Sequence, residues 1–134
     1  MNDDPLANIH PGMAGERQVV VTRELTVGGH VEGMPFVYGT PMMILLMELA
    51  SGEAIASHLP TGWVSLGSEV NIRHLAPTAM GRLVTARGRV LETSRRSILF
   101  EVEAFDGDRK IGEGTHRRGV VNLEEFAKRY PGGA

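Results

Sequence analysis

The chain has 134 residues, 42% hydrophobic and 22% charged, a composition that suits one core and excludes a disordered polymer. A net charge of −2 and a pI near 6.2 argue against general affinity for nucleic acid or an anionic membrane. With no cysteine, disulfides, thiolate metal sites and a cysteine nucleophile are excluded.

Residues 1–15 are acidic, contain Pro and Gly, and lack a basic stretch leading into an apolar one. They are expected to form a flexible arm, not a signal peptide, ahead of a single domain over 16–134. The longest apolar run, Met42 to Met47, is far too short to cross a bilayer, so a cytoplasmic chain is expected. Residues 17–27, rich in β-branched side chains and bounded by glycines, predict a first strand, and 28–38, with three glycines and a proline, a loop.

Thr40-Pro41 then reads as the start of a helix that runs on from Met42 through His58. Threonine is a good N-cap, and proline is tolerated in the first turn because its missing N–H would be unpaired there anyway. The run MMILLMELASGEAIA is apolar on nearly every side, as expected of a helix wrapped by a sheet. From 64 the period becomes two: Val64, Leu66, Ser68, Val70, Ile72 and His74 oppose Ser65, Gly67, Glu69, Asn71 and Arg73. Further strands are predicted over 81–92, 97–105 and 109–123, with turns at Thr93–Arg96 and Asp106-Gly107-Asp108 and a short helix over Glu124–Arg129. Strand, helix, then four strands on short connections predict an α+β domain in which those four strands form an antiparallel meander.

Glu48 is the most informative residue, because a carboxylate inside MMILLMELA must be partnered, protonated or open to a wet pocket. It either sits at the helix edge, paired with an arginine, or faces a functional pocket. His74 shares parity with Val70 and Ile72, as a hydrogen-bonded core histidine would; an imidazole there could also bond Glu48 from the adjacent helix. Thr40 is a helix cap or a hydroxyl poised near a developing oxyanion, ~12 Å along the helix from Glu48. Gly67 marks a bulge or a backbone N–H brought close to a substrate carbonyl; Gly112 and Gly114 are weaker signals of the same kind. The basic runs His116-Arg117-Arg118 and Arg95-Arg96 read as solvated faces, or as contacts for the phosphates of a bulky thiol. Phosphate loops, G-x-S-x-G and zinc spacings are missing.

Three stretches together carry a resemblance: VYGTPMMILLMELA (37–50), SLGSEVNIRH (65–74) and IGEGTHRRGVVNLEEF (111–126). From about Arg17 to Lys128 the sequence resembles the hotdog-fold thioesterases, in particular the fluoroacetyl-CoA thioesterase-like group. The resemblance implies a hotdog fold, with an antiparallel sheet wrapped around a central helix, and hydrolysis of a small acyl-CoA thioester. It implies a catalytic set of Thr40, Glu48 and His74. Gly67 would bind the thioester carbonyl, Arg118 would contact substrate, and Phe36 and Tyr38 would line the pocket. It further implies homo-oligomers (a dimer or a tetramer) with sites at the interface, and no metal or redox cofactor. The segment ahead of Thr40 is shorter than in the fluoroacetyl-specific enzyme, with Phe36 and Tyr38 as its aromatics, so no fluoroacetyl selectivity is implied. Read from the residues alone, a non-catalytic acyl-CoA-binding or regulatory module of the same fold stays open. A hydratase is disfavoured, because its aspartate–histidine loop motif is not found.

Overall fold

The computed structural model describes residues 4–133. Strand β1 (Ala14–Val20) precedes helix α1 (Thr40–Ile55), strands β2 (Trp63–His74), β3 (Leu83–Ser94), β4 (Ser97–Asp106) and β5 (Arg109–Asn122), and the short helix α2 (Leu123–Arg129). All pairs are antiparallel, in the order β1-β3-β4-β5-β2. The sheet curls around α1, as in a hotdog fold.

Three expectations are corrected here. The first strand begins at Ala14 and stops at Val20 instead of spanning 17–27. Past Val21 the chain turns, because Leu25 N–H donates to the Thr22 carbonyl at 3.0 Å and the Thr26 hydroxyl to the Arg23 carbonyl at 2.7 Å, local bonds that compete with a ladder. The four later strands are not a simple meander: β3, β4 and β5 are, but β2 pairs with β5 and lies at the sheet edge. The segment 75–82 between β2 and β3 is too long for a tight hairpin and instead crosses back over the sheet's end. The arm expected to be loose is packed from Asp4 onward, while residues 1–3 lie outside the described ones. Leu6 and Ile9 join the core, and Gly12 and Met13 exchange backbone bonds with Val90.

Met43, Leu46, Met47, Ala50, Ser51, Ala54 and Ile55 form the buried stripe of α1, which faces β1 and β3. Two glycines paired across those strands, Gly15 and Gly88, let the helix settle onto the sheet. A Cβ at Gly15 would lie 2.6 Å from the Ala54 nitrogen, and one at Gly88 only 2.8 Å from the Ser51 Cα, both rigid backbone atoms. Phe100, Val102, Ala104, Ile98, Val84, Ala86 and Val90 complete the core beneath.

The face of α1 bearing Leu45 and Leu49 is left uncovered by the sheet, with Glu48 at its margin over β2 and β5. Leu45 is 49% and Leu49 40% exposed, so a single chain does not wrap the helix on every side.

Candidate active site

The structure overturns the cap reading of Thr40. Gly39 is the N-cap, Thr40 and Pro41 fill the first helical positions, and the Thr40 hydroxyl is free to leave the helix. It bonds His74 Nδ1 at 2.7 Å. His74 ends β2, opposite Gly112 on β5, at a place where burial holds its pKa below the ordinary histidine value and the Ala76 backbone partly offsets that. Its Nε2 is buried without a protein partner. Thr40 and His74 open onto a cleft of about 330 Å³ shared with Val27, Val37, Tyr38 and Leu75 to Pro77. Tyr38 is buried, and its hydroxyl donates to the Met42 carbonyl at 3.2 Å; burial pushes its pKa up to about 12. Phe36 does not line this cleft; it lies exposed on the preceding loop, with the Arg23 guanidinium 5.0 Å above its ring.

Glu48 belongs to a second cluster. Strand β2 carries a bulge between Gly67 and Glu69, and residues opposite one another in a ladder share a face. The bulge therefore inverts the expected alternation. His74, Ile72 and Val70 stand on the helix side together with Gly67 and Ser65, while Leu66 and Val64 point away. On β5, His116 (opposite Val70) and Arg118 (opposite Gly67) face the same side.

The basic run His116-Arg117-Arg118 is accordingly split by strand alternation. Arg117 lies outside, reaching Glu69 at 3.5 Å and Ser97 at 3.0 Å, whereas His116 is buried and the Arg118 side chain nearly so. Arg118 donates through Nε to Ser65 Oγ at 2.8 Å, through Nη2 to the Ser65 carbonyl at 2.9 Å, and through Nη1 to the Glu48 carbonyl at 3.4 Å. The Glu48 carboxylate, a third exposed, stands 3.8 Å from Arg118 Nη1 and 3.9 Å from His116 Nε2. It reaches over Gly67 so closely that a Cβ there would lie 2.5 Å from Oε1.

The hydrogen bond that Glu48 and His74 could have made is not formed within one chain; Glu48 is partnered by Arg118, as its arginine-paired reading allowed, and by His116. The candidate residues fall into two groups, Thr40–His74 and Glu48–Gly67–Arg118. His116 and Ser65 were missed as members of the second. Their signal was present as parity, since 116, 118 and the buried Val120 alternate along β5. The other basic pair lies in a turn, with Arg95 at φ 54° and Arg96 stacked 4.8 Å over Trp63. Among the described residues no group of three or more His, Asp or Glu side chains is placed to hold a metal ion, and no helix is long and apolar enough to cross a membrane.

A family model for fluoroacetyl-CoA-specific thioesterases matches residues 21–124. The chain belongs to that family. It is 39% identical over 92 residues to the fluoroacetyl-CoA thioesterase of Streptantibioticus cattleyicolor, a match that covers 69% of this chain and 66% of that protein. A crystal structure of the fluoroacetyl-CoA thioesterase FlK superposes with a TM-score of 0.85 at 31% identity, covering 94% of this chain and 98% of that one. A thioesterase superfamily member from Thermus thermophilus gives 0.84 at 29%, covering 91% and 90%. The hotdog fold and the thioesterase family expected from the sequence are both borne out by these likenesses.

Proposed function

We propose that this protein hydrolyses a small acyl-CoA thioester to a carboxylate and free CoA, without a metal or redox cofactor, at a site completed by two copies of the chain in the cytoplasm. The observation that carries the reading is the Thr40–His74 hydrogen bond at the mouth of a cleft, in a chain of thioesterase family whose helix carboxylate, Glu48, is held apart from it.

The second copy is supported by what one chain leaves open. Strand β2 presents a 12-residue unpaired edge, and beside it Val70, Leu45 and Leu49 expose apolar surface. Two β2 edges pairing about a two-fold axis at Asn71 would set Val70 opposite Ile72 and, across the bulge at Ser68, bring His74 of one copy to Gly67 of the other. The Thr40–His74 pair would then meet the other copy's Glu48 and Arg118.

In that site the thioester carbonyl oxygen would be polarised by the Gly67 backbone and by the Thr40 hydroxyl in the positive first turn of α1. Glu48 would act on the carbonyl carbon in one of two ways: as nucleophile, expelling the CoA thiolate and forming an anhydride that water then hydrolyses, or as the base that takes a proton from the attacking water before the C–S bond breaks. His74 would relay to the departing CoA sulfur the proton that the water gives up, ending neutral as it began. Val37 and Tyr38, which line the cleft, would flank the acyl side, and Arg118 would hold Glu48 in place. The test is free-thiol release from a panel of short, branched, fluorinated and aromatic acyl-CoAs by wild type, Glu48→Ala and His74→Ala. Release by wild type and loss in both folded variants supports the reading. Binding of acyl-CoA without any release would make the protein a binding module, and full activity in Glu48→Gln would remove Glu48 from either role.

A further inference from the structure

His116 lies outside every role given so far, yet it is buried and both of its ring nitrogens are engaged. Nδ1 sits 2.8 Å from the Glu69 carbonyl oxygen, which can only accept, so Nδ1 carries the proton. Nε2 is 3.1 Å from Arg118 Nη1, which can only donate, so Nε2 is bare. The two neighbours assign one neutral tautomer. Phe100 stacks beside the ring at a centroid distance of 6.3 Å, and the charged groups facing it are Arg118 from β5 and Glu48 from α1. Glu69 meets it through its carbonyl and turns its carboxylate to Arg117.

The donors of Arg118 are then nearly all spent on groups other than the Glu48 carboxylate: Ser65 takes two, and His116 and the Glu48 main chain share Nη1. The guanidinium therefore stops at 3.8 Å from Oε1, an ion pair beyond hydrogen-bond reach. An arginine and a carboxylate left to themselves close to a direct hydrogen-bonded pair, with the carboxylate lone pairs occupied and less able to attack or to take a proton.

We propose that His116 is a positioning residue: its bare Nε2 holds the Arg118 guanidinium off Glu48, leaving the carboxylate paired in charge but open to water or the thioester. Burial and the neighbouring guanidinium both lower the pKa of His116, in keeping with a neutral ring at working pH. The proposal rests on Glu48 being the residue that acts on the thioester.

Two substitutions separate the two nitrogens. His116→Asn keeps a donor where Nδ1 meets Glu69 and loses the acceptor for Arg118; His116→Gln does the reverse. With the acyl-CoA that the wild type turns over fastest, His116→Asn is expected to lower kcat about 30-fold with KM within about threefold, and His116→Gln to recover most of that loss. A role confined to pinning Glu69 predicts the opposite order. Wild-type kcat in His116→Asn, or equal losses in both variants, would overturn the proposal. Ring 15N shifts of His116 in the wild type need no variant to fold: a protonated Nδ1 and a bare Nε2 at pH 7.5 are expected, and a protonated Nε2 would equally overturn it. If the wild type released no thiol from any acyl-CoA while the ring showed the expected tautomer, the thioesterase reading would have failed on its own.

Discussion

Replacing Gly67 with alanine tests the position of Glu48 by filling the space it occupies. Gly67 has no left-handed backbone angle, so alanine adds no backbone strain there. The new methyl would lie 2.5 Å from Glu48 Oε1 and 3.0 Å from His116 Cε1. Ordinary contact begins near 3.4 Å. The His116 ring is fixed by its two hydrogen bonds, so the carboxylate, a third exposed and at the end of a flexible side chain, is the part that yields, by roughly 1 Å. A displacement of that size at a reacting group costs on the order of 100-fold in rate. The stability cost is small, about 1 kcal/mol, because no backbone atom has to move. Thiol-release kinetics and a thermal melt on the same preparation would show kcat down by about two orders of magnitude and Tm down by only about 3 °C. Wild-type kcat in a folded Gly67→Ala protein would refute the catalytic placing of Glu48 over Gly67.

Gly88→Ala makes the contrasting prediction, since its Cβ meets the Ser51 backbone at 2.8 and 2.9 Å; denaturant unfolding should show a loss of about 2–3 kcal/mol. In Tyr130→Phe, Tyr38 is the one tyrosine left, and its tyrosinate absorbance is expected to appear only around pH 12; ionisation near pH 10 would contradict the burial of its ring. His74 and His116 both have pKa values lowered by burial, so the unfolded chain binds their protons more readily than the folded one. Their contribution to stability is complete above about pH 6.5 and is lost as pH falls through the lower folded values, so Tm should decline below pH 6.5. The decline should be shallower in His116→Gln; an unchanged slope would contradict the assignment.

Local pattern carried much of the fold. The apolar stretch 42–55 is a helix because Pro41 can open one and nothing in it breaks one, and β3, β4 and β5 follow from alternation and the turns at Arg95-Arg96 and Gly107-Asp108. The pairing of β2 with β5 depends on contacts far apart in sequence, which periodicity does not encode. The bulge after Gly67 illustrates the cost: one extra residue reverses the faces of everything on one side of it, so Val64 and Leu66, read as core, point outward while Ser65 meets Arg118. Thr40 looked like a cap because threonine caps helices well, yet Gly39 holds that place and His74 claims the hydroxyl. Glu48 was recognisable as a carboxylate out of place among apolar neighbours. Its partners were not, because the arginine and histidine beside it sit in a basic run that reads as solvated until strand parity is applied. The uncovered face of α1 was hidden for a different reason: an all-apolar helix looks fully wrapped, whether the wrapping comes from its own chain or from another.

The division of the site between two copies can be measured directly by mixing His74→Ala with Glu48→Ala, unfolding and refolding them together, and following thiol release. Each variant alone is expected to be inactive. If His74 of one copy works with Glu48 of the other, half of the randomly formed dimers carry one intact site of two, and activity should return to about a quarter of wild type. No recovery above the separate variants, with mixed dimers shown to be present, would mean that the two residues do not meet across the β2 edge.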